Sequence, residues 1–126
     1  MNKFMSIVIA FAAFLNIQSA AAEPLGSGVF SGASGHTTSG MVTVTRQGGQ
    51  YVIELGGDFV LDGAPDPYVA LGAGNKPVEG GLGAVLASNT GAARYVIDAT
   101  PATDGATQVI IWCKRYAVPL GIASIE

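Results

Sequence analysis

The chain has 126 residues, with six Lys and Arg against nine Asp and Glu, a net charge of −3, and 12% charged beside 49% hydrophobic residues. That balance excludes an intrinsically disordered chain in spite of 18 glycines, and with no basic cluster longer than Lys114-Arg115 it removes the electrostatic basis for nucleic-acid binding. The length allows one hydrophobic core and is too short for two domains.

At the N-terminus, Lys3 precedes an apolar stretch from Phe4 to Leu15, and Ser19-Ala20-Ala21-Ala22 comes just before Glu23-Pro24. A lone positive charge, an apolar segment and small residues at the cleavage position read as a secretory signal peptide over 1–22, leaving a single domain over 23–126. The apolar run, roughly a dozen residues, falls short of the ~20 needed to span a bilayer. The expectation is a periplasmic or secreted protein with no stable membrane insertion after cleavage.

The rest of the chain alternates β-prone runs with glycine-rich punctuation, and no segment carries a helical period. Met41 to Arg46 and Tyr51 to Leu55 flank Gln47-Gly48-Gly49-Gln50, a hairpin in which the glycines permit positive φ. Tyr51, Ile53 and Leu55 then share one face. Further strands are expected at Asp58 to Leu61, Tyr68 to Leu71, Ala84 to Ala87, Arg94 to Ile97, Gln108 to Cys113 and Ala117 to Ala123. Asp98 to Ala106, with Pro101 and Gly105, reads as a polar connection. The predicted fold is all-β, an antiparallel sandwich or barrel of about seven to eight strands. Val109 to Cys113 is apolar on both faces, which places it mid-sheet with Cys113 on the side of Ile111.

Cys113 is the single cysteine. An unpaired cysteine in an exported chain is buried filler, a reactive thiol, a ligand, or a partner for another molecule. Lys114 and Arg115 follow directly, and nearby cations favour thiolate; if the strand continues, Arg115 shares the sulfur's side and Lys114 faces away. With no second cysteine there is neither a Cys-x-x-Cys redox pair nor the Cys-x-x-Cys-His of c-type haem attachment. Ligation of non-covalent haem by the Cys113 thiolate, beside Trp112 and His36, stays chemically open. His36, the one histidine, lies among small residues and hydroxyls in Phe30-Ser31-Gly32-Ala33-Ser34-Gly35-His36-Thr37-Thr38-Ser39-Gly40; the bland reading is an imidazole hydrogen-bonded in a tight connection, the sharper one a ligand or proton carrier. A Cys113–His36 hydrolase lacks any local nucleophile motif. Asp58, Asp62 and Asp66 surround a turn with Pro65 and Pro67. They form a candidate calcium site, set against an ordinary rigid turn.

Three blocks together resemble the DM-thirteen domain: Phe30 through Gly40, Leu61-Asp62-Gly63-Ala64-Pro65-Asp66-Pro67-Tyr68-Val69, and Ile110-Ile111-Trp112-Cys113-Lys114 through Val118-Pro119-Leu120-Gly121. The resemblance covers nearly all of the chain after the signal. It implies an extracytoplasmic β-module with one characteristic cysteine, here Cys113, and an electron-transfer role in which that cysteine is a bare redox thiol or a ligand to a bound group such as haem. In larger proteins of the family the module accompanies DOMON and cytochrome-b-type segments, which this chain lacks, so the implied redox partner is a separate protein and the chain is not a stand-alone enzyme. On that reading Trp112 and Tyr116 line the thiol and Arg115 tunes its charge. The alternative is a non-catalytic β-domain binding a protein partner, surface component or metal, with Cys113 only structural.

Overall fold

The computed structural model describes residues 23–126, so the expected signal peptide lies outside the described residues. The hydrophobic alternation seen in the sequence is realised as strands: β1 Glu23–Val29, β2 Ser31–Gly32, β3 Thr38–Ser39, β4 Met41–Gln47, β5 Gln50–Leu55, β6 Val60–Leu61, β7 Pro67–Ala73, β8 Lys76–Val85, β9 Ala93–Asp98, β10 Gln108–Cys113 and β11 Val118–Ser124. A short 3-10 turn, Thr103–Gly105, interrupts the connection after β9. All pairings are antiparallel. They form a four-stranded sheet ordered β1-β4-β5-β9, a five-stranded sheet ordered β2-β11-β10-β7-β8, and the small pair β3-β6.

The two large sheets share one core and do not close into a barrel. Val42 and Val44 of β4, Tyr51, Ile53 and Leu55 of β5, and Tyr95 and Ile97 of β9 face Val69, Leu71, Val109, Ile111, Leu120 and Ala123 of the other sheet. Phe30 and Phe59 meet edge to face at 5.5 Å and cap this core at one end. The β4–β5 hairpin forms as expected, closed by the Gln47–Gln50 pair over Gly48 at φ 61°. β10 lies in the middle of its sheet, as its doubly apolar pattern requires. On its outer face Ile110 reaches full burial over Gly72, where a Cβ would lie 2.4 Å from the Ile110 Cδ1.

Three strands depart from the expectation. β8 runs ten residues, from Lys76, where the residues predicted only Ala84 to Ala87. Its glycines read as punctuation because glycine is depleted in strands, yet they are needed: a Cβ on Gly81 would sit 2.3 Å from the Leu71 carbonyl oxygen, and one on Gly83 2.8 Å from that of Val69. β1 was masked by Gly26 and Gly28 in the same way; there the missing side chains admit the C-terminal backbone, and Ser27 and Glu126 exchange a pair of 3.1 Å hydrogen bonds. The last strand begins at Val118 instead of Ala117, which has φ 54° and belongs to the preceding turn.

Phe59 is fully buried in the shared core, edge to face with Phe30. Phe59→Ala therefore removes about 3–5 kcal/mol of stability, read as a lowered urea midpoint with an unchanged slope.

Candidate functional site

The connections at one end of the sandwich converge on the end of β10. The Ala117 amide donates to the Cys113 carbonyl at 2.8 Å, so the chain reverses over four residues and the strand stops at Cys113. Arg115 consequently does not extend the cysteine's face of a strand, as the sequence predicted for a continuing strand; it lies in the turn, with its guanidinium over the Tyr116 ring at 5.9 Å. Lys114 stacks its ammonium on Tyr68 at 5.1 Å. A non-glycine residue in the left-handed region costs about 1–2 kcal/mol, and the Ala117 hydrogen bond holds it there.

Cys113 is 1% exposed and joins the core with Val109 and Ile111. Its thiol donates to the Pro65 carbonyl at 3.2 Å, and Sγ accepts the Tyr116 amide at 3.5 Å. One weak donor and one weak acceptor are what a thiol has, so the sulfur joins the 62–66 connection to the Lys114–Ala117 turn. The Lys114 amide adds a third link, donating to the Asp66 carbonyl at 3.0 Å.

His36 is built by a tight reversal. Ser34 and Gly35 have φ of 54° and 81°, the mark of a primed turn, and the His36 amide closes it onto the Ala33 carbonyl at 3.0 Å. This segment is anchored on a bulge in β11. The β10–β11 register slips between Ile111 and Trp112, leaving Leu120 without a cross-strand partner. Bulges re-aim backbone groups, and here the Leu120 carbonyl accepts both the Ala33 amide at 3.0 Å and the buried Thr38 hydroxyl at 2.8 Å. Gly121 makes room for that threonine, since a Cβ would stand 2.5 Å from the Thr38 Cγ2.

From this platform the His36 Nδ1 donates to the Asp62 Oδ1 at 2.9 Å, and the Thr37 amide donates to Oδ2 at 2.9 Å. A carboxylate only accepts, so Nδ1 carries the proton of this bond. The Asp62 amide returns a bond to the Thr37 carbonyl at 3.0 Å. His36 and Cys113 thus hold opposite ends of one connection, through Asp62 and Pro65, without bonding each other.

The three aspartates of the candidate calcium site serve separate partners, in keeping with the alternative of an ordinary rigid turn. Asp58 Oδ1 accepts the Met41 amide at 3.0 Å, Asp62 is taken by His36 and Thr37, and Asp66 contributes its backbone at φ 56°. Among the described residues no group of three or more His, Cys, Asp or Glu is placed to hold a metal ion. Trp112 is half-buried, paired with Tyr68 and Pro119 on neighbouring strands. Cys113 does not offer haem a thiolate in this arrangement, because the sulfur is sealed and already hydrogen-bonded.

Ser34, Asp66 and Ala117, three of the four left-handed non-glycine residues among those described, fall in these converging segments, the three segments that carried the resemblance. A family model described as Electron transfer DM13 matches residues 29–125. The chain belongs to the Electron transfer DM13 family. Comparison with curated proteins finds no match, and comparison with solved structures finds none. In this DM13 chain the match takes in all three connections around the sulfur and every strand except β1, of which it reaches only Val29, and that membership points to an electron-transfer-related role. Among its described residues no helix is long and apolar enough to cross a membrane.

The partner of His36, read as a metal ligand in the sequence, lies 26 positions away and carries no local signal of that pairing. The partners of Cys113 are backbone groups, which residue identity does not reveal. In the folded DM13 chain the Thr37 amide, and then His36, hold the Asp62 carboxyl below its ordinary value of 3.8. A depressed carboxyl stabilises the fold above its unfolded pKa and loses that contribution as pH falls through the folded one. Wild type should therefore exceed Asp62→Asn in urea midpoint at pH 6, with the difference vanishing as the pH is lowered well below 3.8.

Proposed function

We propose that the protein is an exported electron-transfer accessory domain, periplasmic or secreted through residues 1–22, in which Cys113 is a gated redox thiol. The observation that carries this reading is that both hydrogen-bond partners of the sulfur are main-chain groups of connections, Pro65 and Tyr116. Breaking them requires no sheet to open. The Lys114–Ala117 turn, exposed and holding a left-handed alanine, belongs to the kind of segment that opens locally at a fraction of the global unfolding free energy. Strain of this sort concentrates at functional positions.

The chemistry needs a separate protein carrying a disulfide and another carrying a dithiol. With the turn lifted, Cys113 gives its proton to solvent and attacks one sulfur of the disulfide. A Cys113–partner bond forms, the partner's S–S bond breaks, and the departing thiolate takes up a proton. A thiolate of the dithiol protein then attacks the Cys113 sulfur, releasing the first partner fully reduced. Its second thiol attacks its own mixed-disulfide sulfur and frees Cys113. Two electrons pass from dithiol to disulfide, and Cys113 ends as it began. Tyr116 on the turn, 62% exposed, offers a contact for the partner. The chain is a carrier in this scheme, not a stand-alone enzyme.

The burial of the sulfur favours a second reading. At 1% exposure, Cys113 serves as a small core residue in a non-catalytic domain that binds a partner protein or surface component. Labelling with N-ethylmaleimide across a urea series separates the two. A gated thiol reacts below the unfolding transition at least about tenfold faster than global unfolding, with little dependence on urea. Reaction that tracks global unfolding at every concentration would remove the redox reading and leave the second.

A further inference from the structure

At the end of the sandwich away from Cys113, the sheets part around a cavity of about 250 Å³ between the start of β10 and the connection after β9. Its floor is apolar and drawn from both sheets: Val44 and the Tyr51 ring on one side, Leu71 on the other. Leu25, Asp104 and Ile125 stand among its walls. We propose that this cavity binds a small organic cation, an aromatic or branched apolar group carrying one ammonium.

Three features carry the proposal, and none involves the thiol. The first is the leucine. The β1–β4 register slips between Pro24 and Gly26, so Leu25 is the bulged residue, and a bulge re-aims its side chain. Leu25 lines the cavity while remaining 46% exposed, an apolar surface that the fold leaves wet and that an apolar ligand would cover.

The second is the charge. Asp104 is the one acidic or basic side chain among the described residues that line the cavity. It is placed there by a built support: the buried Thr103 hydroxyl donates to the Asp98 carbonyl at 2.9 Å, and the Thr100 amide donates to Thr103 Oγ1 at 2.7 Å, fixing the 3-10 turn on which Asp104 sits. The Tyr51 hydroxyl donates to Asp104 Oδ1, and Arg46 approaches that same oxygen at 3.7 Å without lining the cavity. Both contacts fall on Oδ1, so neither of them engages Oδ2. Burial, reinforced by Asp104, raises the Tyr51 pKa, so the phenol stays a neutral donor to that carboxyl.

The third is the size. The volume lies below the roughly 300–1,000 Å³ of sites for drug-sized ligands, so a single ring or branched chain with a short amine suits it. Val44, Leu71, Ala106 and Ile125 give the lining an apolar share, so an amine without an apolar body gains little, and a carboxylate on the same body meets Asp104 as a like charge.

The test is an amide-resolved NMR titration of the folded protein with 2-phenylethylamine, with phenylacetate and ethylamine as comparators. The expected result is saturable shifts at the Asp104, Thr107 and Gln108 amides for 2-phenylethylamine, with the comparators at least about fivefold weaker. Asp104→Asn keeps an acceptor for Tyr51 and should weaken binding about fivefold. Leu25→Ser, at a half-exposed position, should weaken it too while leaving the spectrum of the core unchanged. No saturable shift at these amides would overturn the proposal, as would equal binding of phenylacetate or unchanged affinity in both variants.

Discussion

Everything at the candidate site depends on one strand being buried on both faces. β10 occupies the centre of its sheet, with Val109, Ile110 and Ile111 fully buried, and such a strand can end only where its side chains stop being apolar on both sides. That point is Cys113. The sulfur inherits the burial of the strand while the following backbone turns back at once through Lys114–Ala117. A thiol at a strand's last residue, under a turn, combines core packing with closeness to the surface, and neither property alone defines its chemistry.

The connections around it are held by polar groups used economically. The bulge at Leu120 turns one carbonyl into the anchor for the histidine segment, and Gly121 gives Thr38 room to reach it. Asp62 satisfies His36 and Thr37 together, and the connection it begins ends in the Pro65 and Asp66 carbonyls that receive Cys113 and Lys114. Buried polar groups must be paired, and no buried side-chain nitrogen or oxygen among the described residues lacks a partner. The same economy operates at the far end, where Thr103 is buried and fully engaged beneath Asp104. The two ends of the sandwich therefore present different chemistry, a covered thiol at one and a carboxylate beside a cavity of mixed polar and apolar lining at the other.

Much of the fold was legible in the residues because alternation of apolar side chains reports a half-buried sheet directly. The β4–β5 hairpin, β9, β10 and most of β11 follow from that pattern and from paired glycines at the reversal. β8 and β1 were not legible, since Gly81, Gly83, Gly26 and Gly28 serve close backbone approach, a property of neighbours that a strand does not carry in its own sequence. Of the site, Cys113 and His36 stood out as single residues. Their linkage through the 62–66 connection did not, because it runs between positions 26 and 48 apart and partly through carbonyls.

Composition, periodicity and three spaced blocks by themselves determined an all-β domain with a lone cysteine at the end of a central strand, and membership of its family. Local side-chain pattern suffices for that, because it sets which faces must leave water. Tertiary structure alone decided that the sulfur is covered, that the aspartates serve separate partners, that histidine and cysteine grip one connection, and that a cavity opens at the other end. Those outcomes depend on the register of strands and the meeting of distant backbones, which no local run of residues encodes.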